Sequence, residues 1–526
     1  MSEVEIQAAG VTRRDMMRLL VGSAGALVTG LSGLVGESGV AHAAAAPKRG
    51  GSIRVAYDSS STADTLDPAK GSSGSDYIRF FMFYSGLTQL DRTLTPQMNL
   101  AEAIESKDGA VWIIKLRKGV TFHNGSPLTP ADVVYSLMRH KDPATASKVK
   151  SLADQFKDAQ ATGPNEVTLT LASANADLPT ILATPQLVII KAGTTEFTTA
   201  NGTGPFKVKT FKPGVTTIGT RNTSYYKAGL PYLDQVEVVG IEDDSARVNA
   251  LLAGDVHLID NVDPRATQRI SSAGGYTVNE TKSGEYSDLI MRRDNPVTGN
   301  PDFMQGMKYL LDREQIQSTV FRGYATIGND QPIPPFHRYF NASLAQRKYD
   351  PDKAKFYFTK AGAMNVALPP IFCAPTATGS VEMAQLLQQS GAKIGVNLTV
   401  NRVPSDGYWS NHWMKHPLGF GNIGPRSSAD AVFTQFFKSD AAWNESGWKD
   451  DQFDQLLVAA RSETNDDKRK KLYGDMQEIV STRGLIGIPA FMSMLDANDN
   501  RLQGLQSIPT GPLMGYSFAE YTWWAA

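Results

Sequence analysis

Cysteine is nearly absent from this 526-residue chain, in which Cys373 stands alone. One cysteine permits no disulfide within the chain and no zinc site of the multi-cysteine kind. An excess of either charge is also missing, because 52 Lys and Arg residues face 53 Asp and Glu residues for a formal net charge of −1. A general nucleic-acid-binding protein needs a basic surplus, so this balance argues against that class and leaves only a local basic pocket open.

Long apolar runs are confined to the first 45 residues. The pair Arg13-Arg14 precedes a Gly- and Ala-rich run that starts at Leu19, and Ala41-His42-Ala43 follows as an A-x-A cleavage pattern. This order predicts a signal peptide of the twin-arginine type over residues 1–45, with a membrane anchor as the alternative. No later stretch reaches the ~18 apolar residues of a membrane span, so we expect a periplasmic protein that crosses no membrane.

Signatures of catalysis and of metal binding are missing as well. The chain has no G-x-S-x-G, no H-E-x-x-H and no paired cysteine and histidine signature, so we expect no enzyme. The turn at Gly202–Phe206 lacks the lysine of a phosphate loop. His412 and His416 stand four residues apart, which is the spacing of a metal-binding pair on a helix, but ordinary surface histidines are more common. We therefore expect no metal and no cofactor.

Hydrophobic periodicity indicates an α/β protein, and the chain length indicates more than one lobe. The length exceeds the ~250–300 residues at which a single core usually divides. Alternating β-branched residues predict an opening strand in Gly50–Tyr57, and Asp302–Phe321 predicts one continuous helix. The segment Ile371–Val400 predicts a strand, a helix and a second strand, which together form a βαβ unit with a parallel crossover.

Seven ordered motifs carry a resemblance to a known family. They are Leu66-Asp67-Pro68, Tyr84-Ser85-Gly86-Leu87, the run Leu116–Val133, Gly202–Phe206, Tyr225-Tyr226-Lys227 with Pro231-Tyr232-Leu233-Asp234, Leu311-Asp312-Arg313-Glu314, and Tyr349–Ala354. In this order they resemble the family 5 extracellular solute-binding proteins, which include the peptide- and nickel-binding proteins of bacterial ABC importers. The resemblance covers residues 48–526.

The resemblance implies a two-lobed periplasmic binding protein fold of type II, with an extra subdomain in the first lobe. Lobe I would comprise residues 46–84, 201–288 and 490–526, the extra subdomain residues 85–200, and lobe II residues 289–489. A small-molecule solute would be enclosed between the lobes by hinge closure and delivered to the permease subunits in the inner membrane. We expect a monomer, and the charge balance argues against a nucleic-acid partner.

One loop departs from the pattern of the peptide-binding relatives. They place an aspartate there for the peptide's amino terminus, and the matching position in this chain is Arg426, with Asp430 close enough for a small misalignment. The arginine with which dipeptide binders hold the ligand carboxylate has no counterpart in Pro375–Ser380. A guanidinium prefers a carboxylate, sulfate or phosphate. Alternatively, Arg426 forms a salt bridge at the surface or between the lobes.

The predicted ligand is therefore a small polar solute with an anionic group. An amino-acid conjugate, a sugar-acid conjugate or a modified peptide would fit. The alternative is a conventional dipeptide- or oligopeptide-binding protein, and less favoured are a nickel-chelate binder and a peptide chaperone. The other candidate ligand-binding residues lie beside Arg426, among the C-terminal tryptophans, on the segment Asp288–Asp294 that the resemblance implies links the two lobes, or in stretches that line the cleft in relatives. They are Asn422, Gly424, Ser427, Trp409, Trp413, Arg292, Tyr57, Asp58 and Ser72. Core packing is the alternative for the tryptophans, and a lobe-closing salt bridge for Arg292.

Overall fold

The structure, a computed structural model, describes residues 47–525. The predicted signal peptide, residues 1–45, lies outside the described residues, so its cleavage and export route stay predictions. Within residues 47–525 every helix is too short or too polar to cross a membrane.

The strands are short apart from two long ones in the second half of the chain. In chain order they are β1 (Ser52–Tyr57), β2 (Thr88–Leu90), β3 (Pro96–Met98), β4 (Ala101–Ser106), β5 (Val111–Leu116), β6 (Phe156–Gly163), β7 (Glu166–Leu171), β8 (Phe206–Lys212), β9 (Thr216–Arg221), β10 (Gln235–Gly240), β11 (Leu258–Ile259), β12 (Tyr276–Met291), β13 (Ala325–Ile327), β14 (Ile371–Cys373), β15 (Val400–Arg402), β16 (Leu418–Ile423), β17 (Ile486–Gly487), β18 (Ala490–Asp499), β19 (Leu502–Gln503) and β20 (Trp523–Trp524).

Helices are distributed between these strands along the whole chain. Those of six or more residues are α1 (Gly74–Phe83), α2 (Pro130–Met138), α3 (Asp244–Ala253), α4 (Thr267–Ser272), α5 (Pro301–Leu310), α6 (Pro351–Lys360), α7 (Ser380–Lys393), α8 (Ala429–Phe436), α9 (Asp451–Ser462) and α10 (Asp466–Arg483). Strands and helices alternate in this way because apolar periods of 2 and 3.6 residues alternate in the sequence.

A 12-stranded mixed sheet passes through the molecule in the order β15-β14-β16-β12-β18-β11-β1-β10-β9-β8, with β13 on β18 and β17 on β12. The predicted opening strand is confirmed as β1, which pairs in parallel with β10 and β11. The long strand β12 pairs antiparallel with β18 in its first part and with β16 in its second part, and the register shifts between Lys282 and Glu285. This strand therefore joins the two ends of the sheet.

The predicted βαβ unit is confirmed, but the predicted continuous helix is wrong. Strands β14 and β15 flank α7 and pair in parallel, although β15 begins only at Val400. Helix α5 ends at Leu310, and a new helical turn starts at Arg313 with Asp312 as its N-cap. The guanidinium of Arg313 donates to the carbonyl oxygens of Lys308 and Leu311, so the break has its own hydrogen bonds.

The hydrophobic core is divided into clusters that follow the chain. The cluster of residues from Tyr286 to Met492, here called the large core, packs around β12, β14 and β16. A second cluster packs against β1, β10 and α1, and a third, from Leu87 to Ile189, covers the four-stranded sheet β4-β5-β7-β6. A smaller cluster lies under α3 and α4. The exact residue boundaries of the predicted lobes and subdomain stay a prediction.

The longest motif, Leu116–Val133, is part of the scaffold. At the start of α2, the carboxylate of Asp132 accepts hydrogen bonds from the backbone N–H of Thr129 (2.8 Å) and Ala192 (2.8 Å). The ring of His123 lies with Nε2 3.1 Å from the carbonyl oxygen of Gly204, and burial lowers the pKa of this histidine. These contacts tie the motif to the turn before β8, so its residue types are explained by packing.

Candidate functional site

A cavity of about 1160 Å³, here called the central cavity, lies between the part of the chain that carries α8 and the rest of the described molecule. Its wall comes mainly from four stretches, residues 71–99, 180–186, 425–443 and 506–521. Typical small-molecule sites enclose ~300–1,000 Å³, so this cavity has room for more than one amino acid.

Three of the predicted ligand-binding residues line the central cavity: Ser72, Arg426 and Ser427. Ser72 lies at the entry to α1, where its backbone N–H donates to Asp76 at 3.0 Å. Arg426 and Ser427 lie between the end of β16 and the start of α8, whose N-cap is Ser428. A strand end and a capped helix start therefore fix the loop that carries the guanidinium.

The guanidinium of Arg426 has no carboxylate within 4.0 Å among residues 47–525. Its Nε donates to Gln435 Oε1 at 2.8 Å, and its Nη1 donates to the carbonyl oxygens of Gly424 (3.0 Å) and Pro425 (3.2 Å). The guanidinium carbon lies 5.1 Å from the ring centre of Phe436. Burial lowers the pKa of Arg426, yet a guanidinium stays protonated in proteins. An oriented positive charge therefore faces the cavity with its charge uncompensated.

Asp430, the acidic residue near this loop, already has a structural partner. Asp430 is buried in the first turn of α8, and its Oδ1 receives a hydrogen bond from Arg461 Nε at 3.0 Å. Burial raises the pKa of Asp430. The carboxylate thus has a structural partner of its own and is not among the residues that line the cavity.

Four other predicted residues lie outside the cavity lining and have hydrogen-bond or ion-pair partners of their own. Asp58 accepts a hydrogen bond from Asn261 at 2.6 Å, and Arg292 pairs with Asp294 at 2.7 Å. The side chain of Asn422 donates to Ser287 at 3.1 Å. Gly424 contributes only its carbonyl, to Arg426. A role for these residues in ligand binding stays a prediction.

Tyr57 lies behind the cavity wall. It is buried at the end of β1, and its hydroxyl lies where a Cβ atom at Gly74 would stand and next to the side chain of Tyr516. Burial raises the pKa of Tyr57 far above its usual value. Tyr57 therefore supports Tyr516, which does line the cavity.

The predicted tryptophans lie next to the cavity, not in its lining. Trp409 and Trp413 contact each other edge to face, with ring centres 5.8 Å apart. Trp413 in turn contacts Trp443 at 6.5 Å, and Trp443 lines the cavity. Trp443 is another of the C-terminal tryptophans, and no sequence pattern distinguishes it from the others. The side chain of Trp443 is 48 % exposed, which indicates a surface role. This exposure is visible only in the structure.

The C-terminal wall of the cavity was not predicted from the sequence. Leu513, Met514 and Tyr516 all have positive φ angles, of 53°, 59° and 70°. The backbone N–H of Leu513 donates to the buried Asp496 at 2.7 Å, which anchors this left-handed segment. The ring of Tyr516 contacts Tyr77 edge to face at 5.4 Å. The Pro- and Gly-rich run at residues 509–515 signals a turn but not its place in a binding site.

A polar corner completes the wall on that side. Glu520 pairs with Lys227 at 2.7 Å and accepts a hydrogen bond from the hydroxyl of Tyr225 at 2.9 Å. The positive charge of Lys227 is therefore compensated, whereas that of Arg426 across the cavity is not. Arg92 and Lys148 also line the cavity, but both are exposed, whereas Arg426 is half-buried and held in place by hydrogen bonds. Arg426 is therefore the better placed to bind a ligand anion.

The histidine pair lies away from the central cavity. His412 Nδ1 and His416 Nε2 are 3.0 Å apart, and the ring of His416 stacks on Phe372. Within residues 47–525, no group of three His, Cys, Asp or Glu side chains gathers as a metal site would require.

Comparison with known proteins gives matches over most of the chain. The family described as bacterial extracellular solute-binding proteins, family 5 Middle, matches residues 95–445. The glutathione-binding protein GsiB of Escherichia coli is 24% identical over 475 residues, which cover 87% of this chain and 92% of GsiB. The structure of HbpA2 from Haemophilus parasuis matches with a TM-score of 0.81 and 22% identity, over 90% of this chain and 100% of HbpA2. The structure of DppA from Helicobacter pylori in complex with the peptide STSA matches with a TM-score of 0.71 and 23% identity, over 90% of this chain and 99% of DppA.

Proposed function

Because this chain belongs to family 5 of the bacterial extracellular solute-binding proteins, we propose that it captures a small polar solute by an anionic group and delivers it to an ABC importer. The fold is the α/β periplasmic binding protein fold of this family. Members of the family are transport receptors without catalytic activity. The solute is an amino-acid conjugate, a sugar-acid conjugate or a modified peptide.

The observation that carries the proposal is the uncompensated guanidinium of Arg426 in the central cavity. Its Nε and Nη1 are held by Gln435 and by backbone carbonyls, which fix its orientation without neutralising its charge. A carboxylate, phosphate or sulfate would supply the missing charge through bidentate, charge-assisted hydrogen bonds. Such a contact gains strength when closure of the site excludes water.

The size of the cavity supports a ligand that extends beyond the anionic group. A volume of about 1160 Å³ exceeds what one amino acid fills, and the wall opposite Arg426 is rich in hydroxyl and amide groups. The E. coli relative is named as a glutathione-binding protein. Glutathione is a modified peptide with two carboxylates and belongs to the proposed class. A conventional peptide with its C-terminal carboxylate at Arg426 would use the same contact.

The test is a thermal-shift screen with matched pairs of compounds. Glutathione, tri- to penta-alanine with a free C-terminus, and galacturonate are compared with the corresponding amides or the neutral sugar. Wild type is tested with Arg426→Gln, and the matched control is Arg402→Gln, which removes an exposed arginine of β15 that does not line the cavity.

We expect at least one carboxylate compound to raise the melting temperature of wild type and of Arg402→Gln, but not of Arg426→Gln. Its amide or neutral partner should have little effect. Equal stabilisation by carboxylate and amide, unchanged in Arg426→Gln, would contradict the proposal and leave a binder that does not use this arginine.

Twin-arginine export is part of the proposed function and rests on the sequence alone. Arg13-Arg14 precedes the apolar run of residues 19–35. Replacement of both arginines by lysine should leave the precursor in the cytoplasm, whereas export that continues unchanged would contradict this route.

A further inference from the structure

Four aromatic side chains of the second half of the chain form a continuous row beside the central cavity. The row consists of Trp409, Trp413, Trp443 and Phe436, with successive ring-centre distances of 5.8, 6.5 and 5.8 Å. Trp443 and Phe436 are nearly parallel at 29°, whereas the other contacts are edge to face at 84° and 62°. These distances lie within the range of favourable aromatic contacts.

Two of the three tryptophans in the row, Trp409 and Trp443, face solvent. Trp409 is 39 % exposed and Trp443 is 48 % exposed, whereas Phe436 is buried. The indole N–H of Trp413, in the middle of the row, donates to the buried Glu445 at 2.6 Å. The middle of the row therefore presents carbon and no free donor. Exposed apolar side chains grouped beside a cavity are typical of binding surfaces.

The row is continuous with the proposed anion site. The guanidinium of Arg426 covers the ring of Phe436, and Trp443 stacks on that same ring. Arg426 and Trp443 both line the central cavity. A ligand with its anionic group at Arg426 would thus place the neighbouring part of its structure against Trp443.

We propose that the aromatic row is a subsite for an apolar aromatic group that the ligand carries next to its anionic group. The inference rests on the proposed function, because it takes the anion at Arg426 as the fixed end of the ligand. It narrows the ligand to an anionic compound with an aromatic substituent, because aromatic rings pair favourably with the exposed tryptophan rings.

The experiment measures dissociation constants for two pairs of compounds that differ only in an aromatic group. The pairs are glutathione with S-benzylglutathione, and tetra-alanine with Ala-Ala-Ala-Phe. Wild type is compared with Trp443→Ala and Trp409→Ala. The control is Phe356→Ala, which removes an aromatic side chain that is 62 % exposed on α6 and lies outside the cavity lining.

In wild type, we expect the aromatic member of a pair to bind about tenfold or more tightly, because burial of a benzyl group removes apolar surface from water. The ratio should fall to about twofold or less in Trp443→Ala and should fall in part in Trp409→Ala, while Phe356→Ala leaves it unchanged. Two tryptophan variants are used so that a folding defect of one does not decide the result.

Two outcomes overturn the subsite and are distinguishable. If carboxylate compounds bind and depend on Arg426, but the aromatic group gives no gain or a gain that survives both tryptophan variants, the subsite is wrong and the anion site stands. If no member of either pair binds wild type, the subsite is overturned for these peptide ligands, and the thermal-shift screen with Arg426→Gln decides the proposed function separately.

Discussion

The carboxyl groups of Asp288 and Glu445 are in contact inside the large core, with no cation paired to either among residues 47–525. Trp413 Nε1 donates to Glu445 at 2.6 Å, and any side chain at Gly421 would collide with both carboxyls. Burial and the neighbouring Glu445 raise the pKa of Asp288, and burial raises the pKa of Glu445 to about 6. Both carboxyls are therefore easier to protonate than free ones, and Glu445 supports the aromatic row through its hydrogen bond with Trp413.

This pair predicts a pH-dependent contribution of Glu445 to stability, which Glu445→Gln removes. A pKa raised from 4.5 to about 6 means that the folded protein holds the proton more tightly than the unfolded chain. The stabilisation is complete below pH 4.5 and is lost as the pH rises through about 6. As the pH rises from 4.5 to 8, the free energy of unfolding of wild type should fall by about 2 kcal/mol relative to that of Glu445→Gln. Denaturant titration at several pH values measures this difference, and parallel curves would refute it.

A second prediction concerns the motif arginine Arg313. Its Nη2 lies 2.7 Å from both carboxylate oxygens of Asp330, which is fully buried and also pairs with Arg347. Arg313→Met leaves that carboxylate with one partner fewer and should lower the free energy of unfolding by about 3 kcal/mol. The double variant Arg313→Met/Asp330→Asn should recover part of the loss. Chemical denaturation gives the values, and a loss below about 1 kcal/mol would mean that the pair is dispensable.

A third prediction concerns the left-handed wall segment. Asp496→Ala removes the acceptor for the backbone N–H of Leu513 and should cost about 1–3 kcal/mol, because that buried donor loses its partner. Ligand affinity should also fall, since Tyr516 loses its fixed position in the cavity wall. Asp496→Asn is the control, because its amide oxygen still accepts this hydrogen bond. Equal effects of the two variants on the melting temperature would indicate that the charge, not the hydrogen bond, holds the segment.

A fourth prediction explains one of the motif glycines. A Cβ atom at Gly204 would overlap the backbone of Met82, Phe83 and Tyr84 at the end of α1. Gly204→Ala should therefore destabilise the protein by more than ~2 kcal/mol, since backbone atoms cannot move aside as a flexible side chain can. Gly474→Ala in α10 is the control, with its nearest atom at 3.6 Å, and should be neutral or slightly stabilising. Similar melting temperatures for the two variants would contradict this explanation.

Local patterns predicted the fold well where local contacts decide it. The βαβ unit from Ile371 follows from periodicity alone, and the resemblance carried by seven ordered motifs gave the family. The helix that stops at Leu310 was not predicted, because the break depends on Arg313 and its buried partner Asp330, 17 positions further along the chain. Hydrophobic periodicity in the sequence carries no information about an ion pair between two separate segments.

The candidate site was predicted only in part, for the same physical reason. Arg426 could be selected because its charge is opposite to what the resemblance implies at that position. Asp58 and Trp413 have suitable chemistry, but their partners, Asn261 and Glu445, lie far away in sequence and direct them away from the cavity lining. The left-handed segment at Tyr516 gave only a turn signal, and its place in the wall depends on the hydrogen bond to Asp496.

The most direct test of the anion site is native mass spectrometry of the exported protein, followed by identification of the compound released on denaturation. The account predicts one defined small molecule with a carboxylate, phosphate or sulfate group, present in wild type and in Arg402→Gln and absent from Arg426→Gln. A neutral or purely cationic compound, retained equally by Arg426→Gln, would contradict it.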